Sequence, residues 1–403
     1  MTVSYEQALS IVHERLTGAN PSPATETLPL DHARGRVLAG DVLADRDYPP
    51  FHRATRDGYA VRSADLSALP ATLQCAGEIR AGQHFAGKVG PGQCVAIMTG
   101  APLPVGADAV VMLEHTRAHG EQLEVLRAVG IWENVVRRGS EVAAGARVLP
   151  RGRWLGASDM GLLATVGQTR VAVYRQPVVA ILPTGDEVVP VEQQPEWFQI
   201  RNSNAVALSV QVATAGGAPR QLGVAPDQKD RLRDLIHDGL RSDLLLVSGG
   251  VSMGRYDFVE QVLAELGAEF YIRGVAIRPG RPLLFGRARG TFFFALPGNP
   301  VSTFVTFELF VRSAIAMLGG AAFEPPVFLC ARLAKPFRQK LGLTAFMPAR
   351  VQVQRGEPVV ELVGWQGSGD LVGVAAANAF LVVRPEQNEL AAGDWVDVLP
   401  KPQ

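Results

Sequence analysis

Cysteine is scarce in this 403-residue chain: only Cys75, Cys94 and Cys330 occur. They are odd in number, far apart and without a CxxC, which excludes a disulfide framework and a cysteine-rich zinc site. The seven histidines are scattered, with no metal-ligand spacing. An excess of one charge is missing too. Lys+Arg and Asp+Glu each total 39, so no net field draws the chain to nucleic acid or to an anionic membrane. No unbroken apolar run approaches the ~18 residues of a membrane span. Met1-Thr2-Val3-Ser4-Tyr5-Glu6 lacks the basic and apolar regions of a secretory signal. There is no nucleophile elbow, no P-loop and no H-E-x-x-H. A reduced, cytoplasmic protein with no nucleic-acid or membrane partner is expected.

What is present is a globular composition, 47% hydrophobic and 19% charged. Roughly two to four domains are expected from the length. Ser4-Tyr5-Glu6-Gln7 has the form of a capping box, with Ala8, Ile11, Val12 and Leu16 at helical spacing behind it. The stretch 28–43 reads as short strands, and Tyr48-Pro49-Pro50-Phe51 as a rigid stop. From Ala60 to Arg138 the apolar runs are short and glycine-punctuated, the pattern of a small β-rich module. Loop-and-strand patterning resumes at Gly139, and 157–166 has helical composition. The module is therefore expected as an insert: residues 1–46 and 139–176 form a discontinuous N-terminal domain around 47–138. An α/β domain follows over 177–324. Beyond Glu324-Pro325-Pro326, alternating strands make 327–403 an all-β domain.

The stretch that organises the rest lies in the α/β domain. Residues 178–182, 244–247 and 292–296 are short continuous apolar runs, as in parallel strands buried on both faces. Helical patterns are expected near 202–214, 228–240, 258–266 and 301–318. In such a sheet the strand-end loops share one edge, where ligands bind. Those loops are Thr184-Gly185-Asp186-Glu187, Ser248-Gly249-Gly250 with Asp257 beyond, and Pro297-Gly298-Asn299-Pro300. Arg278-Pro279-Gly280-Arg281-Pro282 joins them. Acids can hold Mg²⁺ through oxygen. Glycines bring backbone close to a ligand, arginines pair with phosphate, and Asn299-Pro300 opens a helix with Asn299 as N-cap and Pro300 at the first helical position. Each segment also has a plain structural reading as a turn, a corner, a solvated surface or an ordinary cap. Asp57 in an Asp-Gly turn and Thr99 before Gly100-Ala101-Pro102 are, taken singly, turn chemistry. Glu114-His115 is set aside as a strand pair pointing to opposite faces. Together the segments indicate a phosphorylated ligand with a metal ion.

In their combination and order, four segments resemble the molybdopterin molybdenumtransferase family. They are Arg56-Asp57-Gly58-Tyr59-Ala60-Val61-Arg62, Met98-Thr99-Gly100-Ala101-Pro102-Leu103-Pro104, Ser248-Gly249-Gly250-Val251-Ser252 and Leu296-Pro297-Gly298-Asn299-Pro300-Val301-Ser302. The similarity runs from the first helix to the last strands. It implies a multidomain α/β-plus-β fold: a central doubly wound molybdopterin-binding domain, a discontinuous N-terminal domain with a β-rich insert, and a C-terminal β-barrel. It also implies a homodimer whose cleft is shared between subunits. The implied reaction takes adenylylated molybdopterin and molybdate, with Mg²⁺, to molybdenum cofactor and AMP.

The resemblance assigns catalysis to Asp57 and Thr99, from the insert of a second copy, and to Glu187, Asp227 and Asp257. It assigns magnesium to Asp186, Glu187 and Asp257. Substrate contacts fall at Glu141, Thr184, Gly185, Ser248, Gly249, Gly250, Arg278 and Arg281, then at Pro297, Gly298, Asn299, Pro300, Arg350 and Ser368. Two places depart from the family. Arg137-Arg138-Gly139-Ser140-Glu141 stands for Arg-Arg-Gly-Glu-Asp, and Gly274 for a lysine. Implied protein partners are a molybdopterin adenylyltransferase and apo-molybdoenzymes. The alternatives are that ATP-dependent adenylyltransferase itself, which shares the α/β domain but typically consists of it alone, and a non-catalytic dimeric scaffold of the same fold.

Overall fold

Runs of leucine, valine and phenylalanine set the centre of the molecule. The computed structural model describes residues 2–19, 23–80, 82–251, 258–340 and 342–402. Within it, β1 (Val178–Pro183), β2 (Ala218–Gln221), β3 (Leu244–Ser248), β4 (Glu269–Arg273), β5 (Leu284–Ala288) and β6 (Thr291–Leu296) form one sheet in the order β2-β1-β3-β6-β5-β4. The first four in that order are parallel; β5 and β4 extend the sheet antiparallel. Alternate side chains enter different cores. Val179, Ile181, Leu244 and Leu246 go to one face, and Ala180, Leu182, Leu245 and Val247 to the other, the two-residue period of a strand buried on both sides.

Five helices serve this sheet: α1 (Tyr5–Gly18), α2 (Ser203–Thr214), α3 (Lys229–Gly239), α4 (Val259–Glu265) and α5 (Pro300–Leu318). Leu208 and Val212 of α2 pack with Phe307 and Phe310 of α5 on the first face. Leu232 and Ile236 of α3 pack with Val262 and Leu263 of α4 on the second. This is the expected doubly wound arrangement, and α2 to α5 begin and end within one residue of the expected spans. The capping box of α1 also forms, Ser4 with Gln7. Its stripe of Tyr5, Ala8, Val12 and Leu16 joins the α/β core beside Phe310, so this head of the segment 1–46 packs on the central domain.

By length and composition α5 could cross a membrane, yet 78% of its apolar 18-residue stretch is buried inside the protein. No unbroken apolar run marks it in the sequence, because Glu308, Arg312 and several hydroxyl residues interrupt it. Phe307–Val311 forms one π-helical turn within it. There the buried Glu308 carboxylate is held by Arg312 Nε at 2.6 Å and Gln211 Nε2 at 2.7 Å.

Around this core stand three further units. Thr25–Pro29 pairs with Arg170–Tyr174 and Val42–Leu43 with Arg147–Leu149, both antiparallel, over a small core of Leu38, Leu155, Leu163 and Val171. Between them the chain leaves and returns through Arg53–Ala54 paired with Val135–Val136. The insert so formed is a six-stranded mixed sheet with apolar cores on both faces. In it Glu114 and His115 belong to a 3-10 turn, Leu113–His115, and not to a strand. The strand argument against that pair therefore does not apply; His115 Nε2 instead meets Arg127. At the other end, Leu329–Leu333, Thr344–Gln354, Glu357–Leu362, Ala379–Val383 and Trp395–Pro400 close into a five-stranded barrel. Ile277–Arg278 of the α/β domain pairs with Thr344-Ala345 and ties the arginine loop to the barrel.

Candidate active site

The strand order places a switch point between β1 and β3, because the chain leaves β1 toward β2 on one side and later fills β3 on the other. Loops diverge there and leave a crevice at the carboxyl ends of the strands. It is a cavity of about 410 Å³. Pro183-Thr184-Gly185 after β1, Ser248-Gly249-Gly250 after β3 and Pro297-Gly298-Asn299-Pro300 after β6 line it, with Glu187, Asn204 and Asp227. Gly249 and Gly250 both have positive φ. A Cβ on Gly249 would stand 2.7 Å from Thr184 Oγ1, and one on Gly250 2.7 Å from Val259 Cγ2. Only glycine lets this loop lie against Thr184. The Thr184 hydroxyl is buried and has no hydrogen-bond partner among the described residues, a costly state that a ligand oxygen would relieve.

Pro300 occupies the first position of α5 and Asn299 the cap position, but the Asn299 side chain does not cap. Its Nδ2 donates to Ser368 Oγ at 2.9 Å, and the Val301 N–H donates to the Ser368 carbonyl at 3.0 Å. A barrel carbonyl takes a first-turn N–H, and Asn299 is free to reach the barrel loop. Asn204 was not anticipated from the sequence. The available signal was the pair of asparagines in Asn202-Ser203-Asn204: Asn202 caps α2 through Ala205 N, which leaves Asn204 to face the cleft.

The acids gather on one wall. Asp186 Oδ1 accepts the Asp227 N–H at 3.0 Å, and the Glu187 carboxylate folds over Gly185. Asp257, like Ser252, lies outside the described residues. Among the described residues no group of three or more His, Cys, Asp or Glu is placed to hold a metal. An all-protein cage is thus not formed by them. Mg²⁺ is usually held by one or two carboxylates, with phosphate and water completing its shell. Glu187 and Asp227 line the cleft and offer hard oxygens for such shared binding, while Asp186 stands behind Asp227 and is not among the lining residues.

The arginine loop reaches the cleft through Pro282, fixed by N–H donors of Val275 and Leu283 to the Arg281 carbonyl. Arg278 and Arg281 are exposed and form no ion pair among the described residues. Asp57 and Thr99 come together in the insert. Asp57 Oδ1 accepts from Thr99 N at 2.6 Å and from Thr99 Oγ1 at 2.8 Å. These two donors, the backbone one first, hold the carboxyl below its usual range. Neither residue lines the cleft. Glu141 pairs with Arg53 at 3.5 Å at the base of the insert. Arg350 donates to the Ala376 carbonyl at 2.8 Å and borders a separate hollow on the barrel. One chain therefore assembles the strand-end loops with Ser368 at their edge, and holds Asp57, Thr99, Glu141 and Arg350 elsewhere.

Fold and cleft define a multidomain α/β protein built around a switch-point cleft. Residues 3–167 match the family model for the MoeA N-terminal region (domain I and II), 180–317 a probable molybdopterin binding domain, and 330–401 the MoeA C-terminal region (domain IV). The molybdopterin molybdenumtransferase of Bacillus subtilis is 35% identical over 386 residues, covering 93% of this chain and 89% of its own. That of Nostoc is 34% identical, covering 99% and 94%. A crystal structure of the molybdopterin biosynthesis MoeA protein from Pyrococcus horikoshii superposes with a TM-score of 0.83 at 30% identity, covering all of both chains. The chain belongs to the molybdopterin molybdenumtransferase family.

Proposed function

We propose that this protein inserts molybdate into adenylylated molybdopterin with release of AMP, as a Mg²⁺-dependent homodimer in the cytoplasm. Membership of the family supports the transferase. The observation that carries the site is the cleft itself: three strand-end loops, a buried hydroxyl without a partner among the described residues, and the acids Glu187 and Asp227. Thr184 and Ser248 hydroxyls donate to phosphate oxygens, and Arg278 and Arg281 balance their charge from the adjoining loop. One or two of the acids Asp186, Glu187 and Asp257 would hold a magnesium ion, which when bound would neutralise phosphate charge. Water adds at phosphorus and AMP leaves, and the ene-dithiol takes up molybdate, the second substrate, its two S–H hydrogens leaving with one molybdate oxygen as water. Asp57, kept anionic by Thr99, orients the reacting groups.

Asp57 and Thr99 are exposed and lie off the cleft of their own chain, which suits delivery to the cleft of a second copy. Beside the cleft mouth, where Ile200 forms part of the lining, Trp197 is 93% exposed and Phe198, Ile200, Val206 and Val210 are exposed with it. Exposed apolar side chains such as these are what a subunit interface covers. A molybdopterin adenylyltransferase and apo-molybdoenzymes are the neighbours this reaction calls for, one supplying its substrate and the others taking its product.

The test is AMP release from adenylylated molybdopterin by the purified protein with Mg²⁺. Release that depends on molybdate and is lost in Asp57→Ala and Glu187→Ala is expected. ATP-dependent adenylylation of free molybdopterin would move the protein to the preceding step, and pterin binding without either activity would make it a scaffold.

A further inference from the structure

Asn204 lies in the first turn of α2 and lines the cleft. Its Nδ2 donates twice, to Ser248 Oγ at 2.8 Å and to the Gly298 carbonyl at 2.8 Å. A carbonyl only accepts, so the amide is fixed with its nitrogen toward both partners. One side chain thus ties the loop after β3 to the loop after β6. The tie also has a polarity. Ser248 is 2% exposed, and its oxygen receives the Asn204 hydrogen, so its own hydrogen is left to be donated. No acceptor for it is present among the described residues. Across the same loop, the Thr184 hydroxyl is likewise buried without a partner.

We propose that Asn204 is a positioning residue that sets the hydrogen-bond polarity of the cleft: by filling the acceptor side of Ser248, it makes that hydroxyl a donor, alongside Thr184, to an acceptor-only phosphate oxygen. This rests on the reading of the cleft as a phosphoanhydride site. Buried hydroxyls are otherwise free to rotate and serve either role. With Asn204 in place the choice is made before the ligand arrives, which favours a group that brings oxygens and no hydrogens.

The experiment is a double-mutant cycle read by AMP binding in calorimetry, with the full-length protein and Mg²⁺. Asn204→Ala is expected to weaken AMP binding about fivefold to tenfold in the wild-type background. In a Ser248→Ala background the same change is expected to cost less than about twofold, since its effect passes through the missing hydroxyl. An equal factor in both backgrounds overturns the proposal, because a role confined to packing would not depend on Ser248. Asn204→Asp, of the same size, is a second entry should alanine lower the folded fraction. Its carboxylate accepts the Ser248 hydrogen and faces the Gly298 carbonyl, so it must weaken AMP more than alanine does; a smaller loss overturns the assignment. Wild-type protein that fails to bind AMP would overturn the phosphoanhydride reading, and this inference with it.

Discussion

Asp57 shows how two donors set the state of one carboxylate. The Thr99 N–H and O–H both point at Oδ1, so ionisation is favoured and the pKa is lowered. A lowered folded-state value contributes stability above the unfolded pKa, and that contribution is lost as pH falls through the folded value. Asp57 is therefore an anion throughout the neutral range. Thr99→Val removes the hydroxyl but keeps the N–H, and is expected to move the Asp57 pKa part of the way back toward the ordinary carboxylate value. A ¹³C-detected titration of the side-chain carboxyl reads this directly, and an unmoved midpoint would remove the hydroxyl from the account. Cys94 illustrates the opposite effect. Burial first, and then Cys75, opposite it on the neighbouring strand, push its thiol up to about 12. Thiolate is the reacting form, so native protein treated with iodoacetamide at pH 8 is expected to alkylate at the exposed Cys330 and not at Cys94; peptide mapping by mass spectrometry checks it. At this scale the glycines and acids of the cleft were legible, because strand-end position and residue type coincide. Asn204 was not. A polar residue in a first helical turn carries no mark of chemistry, and its partners come from positions 44 and 94 residues away.

The loop after β3 depends on glycine in a way a substitution would expose. Gly250→Ala meets both a left-handed φ of 66° and Val259 Cγ2 at 2.7 Å. The loop must move off Thr184, and AMP binding in calorimetry is expected to fall on the order of tenfold or more while the barrel and insert stay folded. Binding that is unchanged would mean that the loop is not part of the site. In α5 the π turn brings Glu308 under Arg312, with the carboxylate side chain only 5% exposed. Arg312→Ala leaves that charge buried with Gln211 as its remaining donor. The expected loss is about 3 kcal/mol in urea unfolding, whereas replacing both partners with apolar residues is expected to come nearer to neutral. Equal losses would show that the pair matters through packing alone. Helix spans were legible here to within a residue, because apolar periodicity fixes a buried helix. The π turn was not, since one extra residue in a turn leaves the pattern of apolar positions nearly unchanged. Nor was the destination of α1: an amphipathic stripe shows that a helix has a buried face without showing what covers it.

At the scale of the molecule, one fact stands apart from the rest of the site. The strand-end loops, the acid wall and the barrel edge converge within a single chain, while the Asp57–Thr99 pair sits on an insert that the same chain holds away from its own cleft. The segment order of the sequence marked the insert as a separate unit, but chain order cannot say whose cleft an insert serves. A two-fold dimer in which each insert serves the other subunit resolves the separation and predicts complementation. Asp57→Ala damages only the insert and Glu187→Ala only the cleft wall, so each variant alone is expected to be inactive. When the two are mixed and allowed to exchange subunits, half of the dimers are hybrids. Each hybrid holds one doubly damaged site and one site made of an intact insert and an intact cleft, so about a quarter of the wild-type AMP release should return. The mass in solution should be about twice the 43.1 kDa of the chain. If each insert served its own cleft, every site in the mixture would still carry one lesion. Light scattering could then report a dimer, yet no activity would return on mixing, and the shared cleft would have to be given up.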